Sequence, residues 1–400
     1  MAKRLPFIGR LARVRPSRVR FGIFIAMLLS LQVSASLQAQ TFTVLYTFNN
    51  PPDGGFSTST PVFDKFGNLY GTTFFSGAYF NGSVFRIDPR GNESVVYSFT
   101  GGADGALPYA GVIVDGEGNL YGTTVRGGDS TCSAPLGCGV VFKIDRYGNQ
   151  TVLHSFATGG DGESPYGGLV RDRAGNLYGT AEEGGGSSNY GAIFEVSPSG
   201  QERVLYRFKG KADGAFPFGT LLIDNNGTLY GTTSQFGTSG AGTVFRRNTL
   251  GQFAPWSLQA AMGESPFGGL VRDAAGNLYG ASAYGGAYGV GSIFKVSPTG
   301  HESILYTFQN GSDGGTPYGA LIRDAAGNLY GTTLIGGTSG WGTVFELTTS
   351  NQLVVLYSFT GGWDGGNPYG GLTMDAAGNL YGAAPAGGAT GNGVVFKITP

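Results

Sequence analysis

Histidine, cysteine and charge are all scarce in this chain. His154 and His301 are the only histidines in 400 residues. The first lies in the strand-like run "LHSF" and the second in a turn, so neither a histidine-based catalytic triad nor a histidine metal cluster is expected. Charged residues make up 13% of the chain, and outside the first twenty positions the lysines and arginines form no basic tract. Nucleic acid is therefore not an expected partner, because neutralising phosphates supplies most such affinity. No glycine string is closed by Lys-Ser/Thr in the phosphate-loop order, and no Asp-x-Asp-x-Asp-Gly calcium loop occurs. The residues point to no cofactor and to no metal.

The N-terminus differs in kind from the rest. Residues 1–20 carry seven cations and no acid, and an apolar run follows from Phe21 to Leu31 before small and polar residues. That is the layout of a secretory signal peptide over 1–40, cleaved near 35–40, and the run is too short for a comfortable transmembrane helix. An uncleaved anchor is the alternative. No cysteine follows the run to make a lipobox, and no anchor follows the final "VFKITP", so a secreted or extracytoplasmic address is expected, with no stable membrane span after cleavage. Removing the seven leader cations takes the formal charge from −1 to −8. The two cysteines, Cys132 and Cys138, share the loop "DSTCSAPLGCG". In an oxidising compartment they are expected to form a disulfide that staples this loop, whereas a zinc site would be two ligands short.

Glycine is abundant instead, at 74 residues, beside 21 tyrosines and 28 phenylalanines. So much glycine argues for frequent tight turns and close strand packing. A version of "GNLYG" occurs seven times, with tyrosines at 70, 121, 178, 230, 279, 330 and 381. The spacing of about fifty residues is in the range of propeller blades. Each unit holds four strand-like runs, as in "PYGGLVRD" (165–172), "GNLYGTA" (175–181), "GAIFEV" (191–196) and "RVLYRF" (203–208). Alternating aromatic and β-branched residues bounded by Gly, Asn, Asp and Pro mark strands and turns. The first two runs are joined by Asp-x-x-Gly turns, in which Asp bonds its own backbone and Gly takes positive φ.

The seventh unit lacks its fourth run, and "TVLYTF" (43–48) at the other end matches "VVLYSF" (354–359). Joining the two leftovers closes a ring and leaves no unpaired edge. The expected fold is an all-β, seven-bladed propeller of four-stranded blades over 41–400, with the "GGLV" runs innermost. The blades fall at about 61–99, 108–156, 165–208, 217–259, 266–308, 317–359 and 368–398 plus 41–48. A stacked solenoid is the rival, and it would not need a split unit. The fourth unit is degenerate, with "PWSLQAAMG" (255–263) where others have "LYSFTGG".

At these repeats the chain resembles the GloVer tandem repeat proteins, exported bacterial proteins whose units run "GNLYGTT…GGTxxxGTVFK…LYSFTGGxDGxxPYG". The resemblance covers Thr41 to Pro400 and implies a fold and an extracytoplasmic address, with no established activity. Its layout is also similar to NHL-type and streptogramin-lyase-like propellers. The family name mentions C-terminal surface anchors, which this chain does not show, so release is the better expectation.

A feature present in every unit is read as architecture, since one active site rarely needs seven copies. The turn aspartates and "GNLYG" fall under that reading, the motif giving a turn, an apolar strand residue and a tyrosine that packs between blades. Function is sought among residues that break the pattern on the face shared by the fourth-to-first and second-to-third connections. Aromatics gather there, as Tyr79, Phe80, Tyr190, Phe236, Tyr288, Trp341 and Trp363, with Trp341 and Trp363 expected to be neighbours. Flat, rigid rings suit a sugar or an apolar peptide side chain; covering the glycine-rich loops is the alternative role. Tyr109, Tyr166, Phe218, Phe267, Tyr318 and Tyr369 each follow a proline and are placed near the channel mouth, for packing or for stacking on a ligand. No catalytic residue is assigned. Glu182 and Glu183, with Glu163 and Glu264, are the carboxylates from which a glycan hydrolase or lyase could be built, and solvated loop charge is the plainer account of them. The leading expectation is a non-catalytic module binding an extracellular polysaccharide or surface protein. A glycan-active enzyme is the alternative, and a purely structural surface protein the third reading.

Overall fold

A computed structural model describes residues 40–49, 51–158, 160–261 and 263–399. The leader expected over 1–40 lies outside them, apart from Gln40. Among the described residues the only helical segment is the 3-10 turn Lys211–Asp213, and no helix is long and apolar enough to cross a membrane.

The described strands form seven four-stranded antiparallel sheets in a ring. Blades are numbered here from Val62. Blade three is typical, running from Val170–Arg171 at the axis through Leu177–Ala181 and Ala192–Val196 to Glu202–Arg207 at the rim. Blade seven takes its outermost strand from the other end of the chain. Thr41–Thr47 pairs antiparallel with Val394–Thr399, in register from Thr41 opposite Thr399 to Thr47 opposite Val394. The ring is thus closed by the N-terminal strand, as the split repeat requires.

Aromatic packing carries this closure round the circle. The third strand of each blade buries one phenylalanine completely, as in Phe85, Phe142 and Phe194. In six of the seven blades the end of the outermost strand presses a second ring against the next blade's phenylalanine. Phe99 lies 5.1 Å from Phe142, Phe156 is 5.1 Å from Phe194, and Phe48 closes the circle at 5.2 Å from Phe85. The last glycine of "GNLYG" makes room for these rings, since a Cβ on Gly179 would sit 2.4 Å from Phe194 Cζ. Degenerate blade four keeps the plan. Leu258 is buried in the phenylalanine place, and Pro255 is tolerated because its strand is the outermost.

The rest of "GNLYG" serves the turn. Asp172 Oδ1 accepts from Asn176 N at 2.8 Å, and Oδ2 accepts from Asn176 Nδ2 at 2.8 Å and from the Tyr178 hydroxyl at 3.0 Å. The tyrosine therefore does more than pack between blades: it also finishes the aspartate's hydrogen bonds. Burial alone would raise the Asp172 carboxyl, but these donors favour the anion and hold it below its ordinary value.

At the axis the innermost strands are shorter than the sequence runs. Only Val170 and Arg171 of 165–172 pair as strand, because the preceding glycines are in contact with the next blade instead. A Cβ on Gly167 would fall 2.9 Å from Gly219 O, and Gly168 N donates to Thr220 Oγ1 at 2.9 Å. Second-strand threonines add to this stitching, with Thr332 Oγ1 donating to Gly370 O at 2.9 Å.

Candidate functional site

One face of the ring is assembled by a clasp repeated in every blade. Just before each innermost strand stands a non-glycine residue in the left-handed region: Phe56, Leu107, Ser164, Phe216, Ser265, Thr316 and Asn367, with φ between 53 and 59°. Such a conformation is uncommon for these residues and persists only where surrounding contacts hold it. Each amide reaches back to the preceding blade's second-to-third loop. Ser164 N donates to Cys138 O at 3.0 Å and Asn367 N to Trp341 O at 2.8 Å, while Ser164 O accepts from Glu182 N at 3.2 Å. The clasp sets the two kinds of connection side by side, so residues that depart from the repeat share this face.

Six rings converge over the axis. Tyr166 stacks on Phe218 at 4.8 Å, Phe267 on Tyr318 at 4.8 Å, and Tyr318 lies 4.6 Å from Tyr369. Tyr109 touches Tyr166, Phe218 and Tyr369 at 5.2, 5.3 and 6.0 Å, spanning the place where blade one has Thr58. The rings are half-buried and floor the mouth above an axial cavity of about 300 Å³. Tyr284 joins them from the loop face, its hydroxyl 2.7 Å from that of Tyr318.

Three of the four singled-out glutamates meet beside this floor. Glu163 and Glu183 pair through their backbones, with N–O distances of 2.8 and 3.1 Å. Glu182 follows the second strand of the same blade. Burial pushes its carboxyl up to about 7, the Glu183 charge adds to the rise, and Arg126 opposes it. The Glu163 carboxyl is raised by burial, by the Glu183 charge and by Asp161, and Arg126 again opposes the rise. Arg126 extends from blade two, its Nη1 donating to Ser164 Oγ at 2.9 Å. Glu264 is not part of this group: it pairs by its backbone with Tyr284 in blade five, two blades away. A carboxyl that holds its proton near neutrality, with other carboxyl groups beside it, has the electrostatics of a general acid.

Cys132 and Cys138 are joined in a disulfide with Cα atoms 5.6 Å apart, fully buried beneath this cluster. Their sulfurs and the Glu163 carboxylate lie within 4.8 Å of one another. Both sulfurs are committed to each other, which leaves the carboxylate as the one donor.

The aromatic loop residues spread round the outer part of the face. Tyr79 and Phe80 stand exposed on blade one and Tyr288 on blade five. Tyr190 is half-buried, packed 5.1 Å from Phe236 and 6.0 Å from Phe216. Trp341 lies across Gly361 and Gly366 of the turn that carries Trp363. Trp363, 64% exposed, makes its edge contact with Phe42 of the closing strand, at 6.1 Å. The two indoles thus share one turn and one junction.

Sequence reasoning passed over Arg126, Phe75, Tyr284 and Phe56. The first three occupy one column of the repeat, two places beyond the second strand, where other blades have Glu183, Gln235, Ile335 and Ala386. Reading down that column would have found them.

The raised glutamates make stability depend on pH. Glu182 binds its proton more tightly in the folded protein than in the unfolded chain. Its contribution is therefore complete below the ordinary value near 4.5 and is lost as pH rises through about 7. The melting temperature is expected to fall between pH 5 and pH 8, and Glu182→Gln to remove roughly 1 kcal/mol of that loss after allowance for solvent at the mouth. Thermal scans across the range check this, and an unchanged slope in the variant would count against it.

The comparisons with known proteins agree on fold. The extracellular domain of a protein provisionally named a one-component system, from B. thetaiotaomicron, aligns with a TM-score of 0.54 at 12% identity, over 88% of this chain and 39% of that one. This chain therefore spans about two fifths of that neighbour. Two proteins provisionally named 6-phosphogluconolactonases are also similar. The one from Bacteroides fragilis has a TM-score of 0.51 at 15% identity, over 83% of this chain and 98% of that one. The one from Bacteroides uniformis has 0.50 at 16%, over 78% and 85%. At these identities the likeness is one of fold. No curated protein is a significant sequence match. The repeats themselves match the Gloeobacter/Verrucomicrobia repeat in overlapping stretches, over residues 32–245, 132–324 and 288–400, and the chain belongs to that family.

Proposed function

We propose that the chain is an exported, non-catalytic binding module whose loop face takes an extracellular polysaccharide or surface protein. The observation that carries this reading is the gathering of large exposed aromatics on one face of an otherwise repetitive frame. Tyr79, Phe80, Tyr288, Trp341 and Trp363 are 40–67% exposed, and a ring left in water has no role in the core. Exposed Phe66 and Tyr147, in turns of the opposite face, each lie under a neighbouring cation, Lys65 or Arg146. The basic, apolar N-terminal segment supports export, as does the disulfide, which fits an oxidising compartment. Binding to a panel of polysaccharides is expected to be saturable, and a Trp341→Ala/Trp363→Ala double variant to weaken it at least tenfold, or about 1.4 kcal/mol. Equal binding by the variant would remove these indoles from the interface. Absence of binding by the wild type would leave a protein partner or a structural role.

A second reading, a glycan-active enzyme, is favoured by the protonated character of Glu182 beside Glu163 and Glu183. In that reading Glu182 donates a proton to the leaving oxygen and an ionised neighbour acts as base or nucleophile. New reducing ends from wild type and none from Glu182→Gln would establish it. Binding without new ends would leave the module reading in place.

A further inference from the structure

The first residue of the outermost strand leans on the preceding blade's rim, where a tyrosine and an aspartate seven residues later are hydrogen bonded. Tyr206 to Asp213 at 2.8 Å and Tyr357 to Asp364 at 2.9 Å are examples. At some junctions an apolar residue covers the pair, as where Phe253 stacks on Tyr206 at 3.8 Å. At three junctions the covering residue is a glutamate: Glu93, Glu202 and Glu302. Placing a carboxylate against an aspartate in a half-buried junction is unfavourable unless something compensates.

Two of the three junctions offer the glutamate some relief, although Glu202 Oε1 is buried without a partner. Opposite Glu202 the rim tyrosine is replaced by His154, whose Nε2 lies 3.0 Å from Asp161 Oδ2. Opposite Glu302 the rim loop 259–263 has no carboxylate, and Glu302 Oε2 accepts from Gln259 N at 3.1 Å. Glu93 has neither remedy. It faces Asp53 and Tyr46 at the junction where the N-terminal strand closes the ring. Asp53 is 7% exposed, and its Oδ2 accepts from the Tyr46 hydroxyl at 2.6 Å and from Asn49 N at 2.9 Å. Its Oδ1 is buried without a partner, as is Glu93 Oε1. In blades one and six a threonine hydroxyl, from Thr100 or Thr360, satisfies the matching aspartate oxygen, and Asn49 stands in that place without one.

We propose that Asp53 and Glu93 bind a hard divalent cation of the calcium class, which fastens the closing strand to blade one. Two unsatisfied anionic oxygens in one buried junction call for positive charge, and carboxylate oxygens suit calcium or magnesium, with water completing the shell. A proton is the competitor, since burial and Asp53 push the Glu93 carboxyl up to about 7. Above that pH the Glu93 carboxyl is ionised and the cation's advantage is greatest.

The test uses the chain stripped with chelator, at about pH 8.5, where the Glu93 carboxyl is ionised. Millimolar calcium chloride is expected to raise the melting temperature by roughly 4 °C, and equilibrium dialysis to find one calcium per chain. Both effects are expected to vanish in Glu93→Gln and to persist in Glu302→Gln. Gln150 occupies the same repeat position as Glu93, so the first variant has a native precedent and is expected to fold. A wild type that calcium does not stabilise, and that gains stability only on acidification, would assign the junction to a shared proton. A calcium shift retained in Glu93→Gln would place the cation elsewhere. Either result overturns the proposal.

Discussion

A chain beginning at residue 49 is expected to lose cooperative folding into a closed ring. The missing strand supplies all of the pairing on the outer side of Val394–Thr399, and its loss leaves as a bare edge a strand whose Val394, Val395 and Phe396 are fully buried. It also spans two junctions. Phe42 stacks on Tyr357 of blade six at 3.8 Å, and Phe48, fully buried, packs 5.2 Å from Phe85 of blade one. Losing one such phenylalanine costs about 3–5 kcal/mol, against a total stability of about 5–15 kcal/mol for an ordinary domain. The deletion removes both rings and a ladder of hydrogen bonds. Chemical denaturation of the deleted chain should therefore show a broad, early transition or none. A sharp transition at the wild-type midpoint would mean that the ring does not depend on this closure. Adding a peptide of residues 41–48 in trans is expected to restore part of the lost stability, because the acceptor edge is otherwise complete.

The second large effect is expected at Gly242. This residue has φ +95° and closes the second-to-third loop, with its amide donating to Phe236 O at 2.8 Å. A Cβ here would sit 2.2 Å from the backbone oxygen of Thr233, an atom that cannot swing aside. The left-handed conformation costs a non-glycine residue about 1–2 kcal/mol, and relieving the clash requires the second and third strands of blade four to part. Gly242→Ala is expected to lose at least about 3 kcal/mol. Gly240 is the control. It has φ +81° in the same loop, but a Cβ added there would meet no atom within 4 Å. Gly240→Ala should cost about 1 kcal/mol, from conformation alone. Urea midpoints of the two variants read the difference, and equal losses would show that the strands yield to the added methyl group.

These two predictions mark how far the primary structure can be read. The deletion was visible in the repeat itself, because a unit missing its fourth run and an orphan run at the other end can be matched by eye. Gly242 differs from Gly240 in the repeat, since its place holds glycine in all seven units while that of Gly240 also takes Phe80 and Asn189. The cause, the approach of Thr233 O, is visible only in the tertiary structure. The same holds at the mouth. Glu163, Glu182 and Glu183 could be named as singular acids, but their meeting with Arg126 could not, because Arg126 bonds Ser164 across 38 residues and a blade boundary. The pairing of Trp341 and Trp363 with one turn was partly legible, as their loops are consecutive. The contact of Trp363 with Phe42 was not, because Phe42 arrives from the far end of the chain.

What the sequence determined by itself was the blade: its four strands, its aspartate turns, its count and the need to close. Those features depend on neighbours a few residues apart, where alternation, turn chemistry and the fifty-residue period act directly. What only the tertiary structure decided was which departures from the repeat face one another. The closing of the ring brings Asp53 against Glu93, Arg126 against Ser164 and six aromatic rings over one axis. These contacts lie between blades, and periodicity says which residues recur but not which pair across a junction will be left without compensation.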